Sequence, residues 1–163
     1  MFEVTYTPNK ENPGLWTLSI QVNCSRQTLW NSLTNIQNWQ KSWGNCNLRF
    51  KVGEFFIDRS NSISDAAISK ITHIVTNYEL HMAWEFGKDQ ADLFEKFDAE
   101  QAVQLKVELE HLGPAQMSLN VTVLSIGRYK PRGRWSTGSR DQWEKLMIRV
   151  AQIAYKSTME DTA

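Results

Sequence analysis

The side chains in this sequence that could do chemistry are few. There are three histidines, His73, His81 and His111, and two cysteines, Cys24 and Cys46. A zinc-type site needs imidazole, thiolate or carboxylate ligands that converge, and this usually shows as ligands a few residues apart. The histidines fall on three separate alternating segments, so metal binding fails on spacing and neither a metal nor any other cofactor is expected. His73 shares the parity of Ile71 and Val75, which raises an inward orientation in which a neutral imidazole orients a polar ligand group. Neither cysteine belongs to a C-x-x-C pair or a catalytic signature, and no G-x-S-x-G elbow is present, so a nucleophile has no visible seat. Both cysteines read as free thiols of a reducing compartment. Parity assigns Glu79, Glu85, Glu108 and Glu110 to a solvent face, which argues against acid–base catalysis in an interior site. The stretch Arg128-Tyr129-Lys130-Pro131-Arg132-Gly133-Arg134-Trp135 interleaves four cations with two aromatics. Such a pattern binds phosphates or stacks on bases, or is simply a solvated loop beside the acidic segment 88–100. A Gly-rich phosphate cradle is absent.

Composition narrows the function further. The 163 residues carry 18 Lys plus Arg against 18 Asp plus Glu, so the chain is not built to neutralise phosphates and nucleic acid is not an expected partner. Met1 to Thr7 has neither the basic region nor the apolar run of a signal peptide. No stretch approaches the length of a membrane span. A cytoplasmic location without membrane insertion is expected. Seven tryptophans are many for this length, and they serve either as core mass or as the walls of an apolar ligand cavity.

The elements that must position these residues are organised around Ser139 to Lys156. There Trp143, Leu146, Met147, Val150, Ala151, Ile153 and Ala154 recur at steps of three and four, and Ser139 with Gln142 reads as a capping box that starts the helix. Upstream, alternation predicts strands in Phe2–Tyr6, Trp16–Val22, Leu48–Val52, Phe55–Ile57, Ala66–Val75 and Tyr78–Phe86, then a hairpin of Val103–Leu109 with Met117–Val123. Ser25 and Asn35 introduce two short helices, and Gly44 ends the second. A small helix capped by Asp89 is read within 88–100, and the parity change in Ala66–Val75 is placed between Ile68 and Ile71. One domain, 1–163, is expected, with its core at about 16–156 and a frayed tail at 157–163.

This order resembles the helix-grip fold of the START and birch-pollen-allergen superfamily, SRPBCC, and within it the branch of homologues of the heat-shock-protein-90 ATPase activator. The resemblance is carried by Ile20 to Ser25, by Leu29-Trp30-Asn31-Ser32-Leu33-Thr34, by Trp43, by Val52-Gly53-Glu54-Phe55, by Leu80 to Trp84 and by Gln142-Trp143. The glycine that usually precedes the last tryptophan is missing, and Pro114-Ala115-Gln116 replaces the family's usual Gly-Thr-Arg. The resemblance implies an α+β fold: a curved antiparallel sheet of six or seven strands wrapped around the C-terminal helix, with two short helices after the first strand. It also implies a cavity between sheet and helix. The residues with the parity or phase to line it are Trp43, Phe56, His73, Trp84, Phe86, Leu105, Val107, Leu119, Val121, Trp143, Met147 and Val150, with Arg132 and Arg134 at its rim. The leading function is binding or carrying a small, largely apolar molecule, lipid-like or polycyclic, without catalysis. The alternatives are a cyclase- or dehydratase-like enzyme using the same cavity, and a co-chaperone module for a protein partner. A monomer and a homodimer are both open.

Overall fold

The computed structural model describes residues 2–44, 47–58, 66–87, 90–129 and 135–161. Among them seven strands form one antiparallel sheet in the order β1-β2-β7-β6-β5-β4-β3, accompanied by four helices. The strands are β1 (Thr5–Pro8), β2 (Trp16–Val22), β3 (Phe55–Asp58), β4 (Ala66–Val75), β5 (Glu79–Gly87), β6 (Val103–Gly113) and β7 (Gln116–Ser125). The helices are α1 (Arg26–Leu33), α2 (Ile36–Trp43), α3 (Gln90–Lys96) and α4 (Trp135–Asp161). The α+β class, the two short helices after the first long strand and the long last helix match expectation.

Burial follows the alternation. On β2, Trp16, Leu18, Ile20 and Val22 are buried and Gln21 is exposed. On β6 and β7 the buried sets are Val103, Leu105, Val107 and Leu109, and Met117, Leu119, Val121 and Val123. From α4, Trp143, Leu146, Met147, Val150, Ala151 and Ala154 complete this core. Removing that much apolar surface from water, at about 25 cal/mol per Å², is the main force holding helix to sheet. Direction comes from polar contacts. Ser25 accepts the Thr28 amide at 3.1 Å and Asn35 the Gln37 amide at 3.0 Å, capping α1 and α2. In the buried seam between helices the Ser32 hydroxyl donates to the Val150 carbonyl at 2.8 Å, Asn38 donates to the Ser32 carbonyl at 2.8 Å, and Arg149 donates to Asn38 at 3.0 Å. Loss of one member would leave a buried polar group unpaired, so the chain fixes the rotation of α4 against α1 and α2.

Three expectations change, and the place of α3 is new. Residues 48–52 form no strand: Lys51 bonds back to Arg49, Phe50 packs on Trp39, and Val52 is 59% exposed, so these apolar residues anchor a loop. Helix α4 starts at Trp135 and continues to Asp161, which puts Ser139 inside it and makes 157–161 helical. Ile68 belongs to the outer face of the sheet, where it is buried with Phe55 and Phe97, and the parity change lies later, between Ile71 and His73. Finally, α3 packs on β4 and β5, and Phe94 and Phe97 both meet Phe55 at 5.2 Å, so this segment covers the outer face of the sheet.

Candidate functional site

The inner face of β3, β4 and β5, opposite α2 and α4, carries a cluster of large aromatic rings. Phe56, Ser69 and Trp84 lie side by side across the three strands, through the register pairs Phe56↔Ser69 and Ser69↔Trp84. Trp43 from α2 meets Phe56 at 5.6 Å, Trp84 at 5.8 Å and Trp143 of α4 at 5.0 Å between ring centres. Phe86 stacks on Trp84 at 6.1 Å. Of the expected cavity residues, Trp43, Phe56, Trp84, Phe86 and Trp143 are therefore brought together. Leu105, Val107, Leu119, Val121, Met147 and Val150 are buried in the same core. Arg132 and Arg134 lie outside the described residues, as does Cys46. Cys24 is a buried free thiol, and burial raises its pKa to about 11, so it stays protonated and unreactive at neutral pH.

Sequence reasoning passed over several residues here. Trp39 sits at the centre of the cluster, 5.4 Å from Trp43 and 5.5 Å from Trp143, with its indole N–H donated to the Leu33 carbonyl at 2.6 Å. Its spacing with Trp43 at i and i+4 put both on one face of α2 and was the available signal. Ser69 is fully buried, and its hydroxyl has no hydrogen-bond partner among the described residues; the same holds for the indole N–H of Trp84. Buried polar groups are nearly always paired, so two unpaired ones on adjacent strands, on one face, mark a place where an acceptor is wanted.

At the end of β5 the backbone runs beyond its β6 partner, and Tyr129 takes over. Its hydroxyl accepts the Phe86 amide at 2.8 Å and contacts the Phe86 carbonyl at 3.2 Å, while its ring meets Phe86 edge-on at 5.5 Å. Burial, with Glu85 adding to it, raises the pKa of this phenol. Glu85 is on the outer face as its parity required, yet it is 2% exposed. It accepts from Arg128 at 2.5 Å and from Tyr129 at 3.1 Å, and the Arg128 bond raises the guanidinium's pKa further, so that side chain remains a cation. Thus the first two residues of the basic loop anchor to the sheet. Gly127 makes this geometry possible. With φ +53 it lies so close to the backbone of Gln101 that a Cβ would come within 2.1 Å of that carbonyl oxygen. Glu85, the one buried carboxylate among the residues whose burial is described, is thus on the face opposite the aromatic cluster, where it cannot serve an interior acid–base site.

His73 is not in the cavity. The bulge at Thr72 turns it outward, 53% exposed in its side chain, to face His81 across the β4–β5 pair. Glu79, two residues before His81 on the same face, stands 3.3 Å from His73 and 3.4 Å from His81. Burial lowers the pKa of His81, with Glu79 opposing and His73 and Lys106 reinforcing the shift. Two histidines expected on separate strands, His73 and His81, are therefore neighbours on the outer face, with Glu79 between them.

Comparison with solved structures gives the same architecture. The solution structure of the Aha1 dimer from Colwellia psychrerythraea is 14% identical with a TM-score of 0.61, covering 85% of this chain and 94% of that one. An HSP90 activator from Plasmodium falciparum is 16% identical with a TM-score of 0.56, covering 82% of this chain and 90% of that one. DynU16, encoded in the dynemicin biosynthetic locus, is 15% identical with a TM-score of 0.59; the match covers 87% of this chain but only 47% of that longer one. No curated protein matches the chain in sequence. No helix among the described residues is long and apolar enough to cross a membrane. The model of the family described as Activator of Hsp90 ATPase homolog 1-like protein matches residues 23–154, from the turn before α1 to the buried face of α4, and the chain belongs to that family.

Proposed function

We propose that the protein binds a small, largely apolar molecule, polycyclic or lipid-like, against the inner face of the sheet, and that it carries this molecule without turning it over. The observation that supports the reading is the pair of buried, unpaired groups on that face, the Ser69 hydroxyl and the Trp84 indole N–H. Leaving such groups unsatisfied costs about 1–3 kcal/mol each, and a carbonyl or hydroxyl oxygen on an otherwise apolar ligand recovers it. The surrounding rings supply apolar contact and can accept only weakly, through their π faces, so a ligand oxygen is the stronger partner for these donors. The carrier acts in the cytoplasm as a monomer or homodimer.

The test is a thermal-shift comparison of polycyclic ketones with hydrocarbons of the same shape, read together with the indole N–H signals of the protein. The ketone should raise the melting temperature, by mass action worth about 2.7 kcal/mol at a hundredfold excess over Kd. It should move the Trp84 indole signal and be recovered unchanged by mass spectrometry. Trp84→Phe and Ser69→Ala should weaken ketone binding and leave the hydrocarbon unaffected. An unmoved Trp84 signal at saturating ligand overturns the reading, and a consumed ketone transfers the cavity to a cyclase- or dehydratase-like enzyme.

A second reading, a module that binds a protein partner, is favoured by the close mutual packing of Trp39, Trp43, Phe56, Trp84 and Trp143, which leaves the aromatic region full. One structural relative is an HSP90 activator, so the partner to try first is the Hsp90 of the same host. A rise in its ATPase rate on adding this chain supports that reading; an unchanged rate with no complex formed removes it.

A further inference from the structure

We infer that His73, Glu79 and His81 form a binding site for one divalent transition-metal ion, of which zinc is the type case, on the outer face of the β4–β5 hairpin. Each ligand arrives through the backbone register. His81 is the direct cross-strand partner of His73, and Glu79 lies two residues before His81, which in a strand means the same face. The bulge between Ile71 and His73 supplies the third requirement: without that extra residue His73 would point into the core. A tetrahedral zinc ion with bonds of about 2.0–2.1 Å holds its ligand atoms roughly 3.3–3.4 Å apart. The separations from Glu79 Oε1 to His73 Nε2 and to His81 Nε2 are 3.3 Å and 3.4 Å, and all three ligand atoms lie within 4.8 Å of one another.

A plainer account would have the carboxylate simply hydrogen-bonded to both rings. At His81 that contact is loose: its Nε2 is buried, lies 3.4 Å from the carboxylate oxygen and has no other partner among the described residues. An ion between the three groups would use that lone pair. Two imidazoles and one carboxylate suit zinc, copper(II) or nickel(II), and are a poor set for magnesium or calcium, which take oxygen ligands. The nearest cation, Lys106 across from His81, is held by Glu108 at 3.3 Å, so its charge is countered beside the site. A cleft of about 160 Å³, lined by Thr72, His81, Gln104 and Leu124 among others, opens beside His81. An ion here would tie the bulge of β4 to β5.

The experiment uses the full chain stripped of metal by a chelator. Zn²⁺ is titrated in competition with a chromophoric chelator, and Co²⁺ is followed by its visible absorption. One ion per chain is expected, with cobalt bands of four-coordinate intensity. Losing an outer-shell partner of a metal ligand costs about 10–100-fold in affinity, so His73→Ala and Glu79→Gln, which remove ligands, should each weaken zinc by at least about tenfold. Both side chains are partly exposed, so the variants should fold, which circular dichroism checks. His111→Ala, an exposed histidine away from the cluster, should bind as the parent does. Parent-like binding by the His73→Ala/Glu79→Gln double variant, or an equal loss in His111→Ala, overturns the proposal.

Discussion

Replacing Trp143 by alanine tests the packing on which the inner site depends. Trp143 is 1% exposed and meets Trp39 at 5.5 Å, Trp43 at 5.0 Å and Trp84 at 6.3 Å, ring centre to ring centre. Truncating a buried large aromatic costs about 3–5 kcal/mol, and more when the surroundings cannot collapse into the space. Here they cannot collapse easily, since Trp39 is pinned by its bond to the Leu33 carbonyl and Trp84 belongs to a central strand pair. Each lost edge-to-face pair is worth about 0.5–1.5 kcal/mol beyond area, though the pairs share one ring and do not add fully. The upper part of the 3–5 kcal/mol range is therefore expected. Because a domain is stable by only about 5–15 kcal/mol, this is a large fraction of the whole. With a urea slope of about 2 kcal/mol/M, the unfolding midpoint should fall by roughly 2 M. Lys145→Ala, on the exposed side of the same helix, should stay within about 0.5 kcal/mol of the parent. Equal midpoint shifts for the two variants would mean that the helix is rotated away from the aromatic cluster, and the argument for the site would fall with it.

Two further substitutions test the backbone. Gly127→Ala places a methyl group 2.1 Å from the Gln101 carbonyl oxygen at a φ of +53, so it should cost more than about 1–2 kcal/mol, the penalty of the left-handed conformation alone. It should also speed amide exchange at Phe86, whose N–H is bonded to the Tyr129 hydroxyl; parent-like exchange would show that Gly127 does not position Tyr129. Ala115→Gly acts in the opposite direction. Ala115 has φ 54 in the β6–β7 turn, so glycine relieves about 1–2 kcal/mol of strain and loses about 0.4–1 kcal/mol to a looser unfolded chain. A net gain of roughly 0.5–1 kcal/mol in urea unfolding is expected, and a loss would show that the turn is not strained.

How much of this could be read in the sequence depended on whether the signal was local. The alternation of β2, β5, β6 and β7 and the caps at Ser25 and Asn35 record local preferences, and those elements formed where expected. The start of α4 was misplaced because Ser139 and Gln142 carry the spacing of a capping box while lying one turn inside the helix. Its end was misplaced because residues 157–160 are mostly polar and continue the helix without a periodic apolar mark, the Thr158 hydroxyl turning back to the Ala154 carbonyl at 3.0 Å.

The two functional corrections share a deeper cause, namely that parity tells which face a residue takes but not what covers that face, nor where the count slips. Glu85 was assigned to the correct face and the wrong environment, because Arg128 and Tyr129 come from more than forty residues away to close over it. His73 was assigned to the wrong face because one bulge residue, Thr72, resets the alternation without any glycine or proline to announce it. The bulge resolves a conflict between neighbours: Ile71 and Ile74 both pack on the core, and an odd spacing of three cannot put both inside a regular strand. Once the extra residue is accommodated between them, His73 must emerge opposite His81. The pairing of those histidines thus follows from keeping Ile71 buried and Ile74 packed against the core, and a chain in which Ile74 were polar would lose that reason to form it.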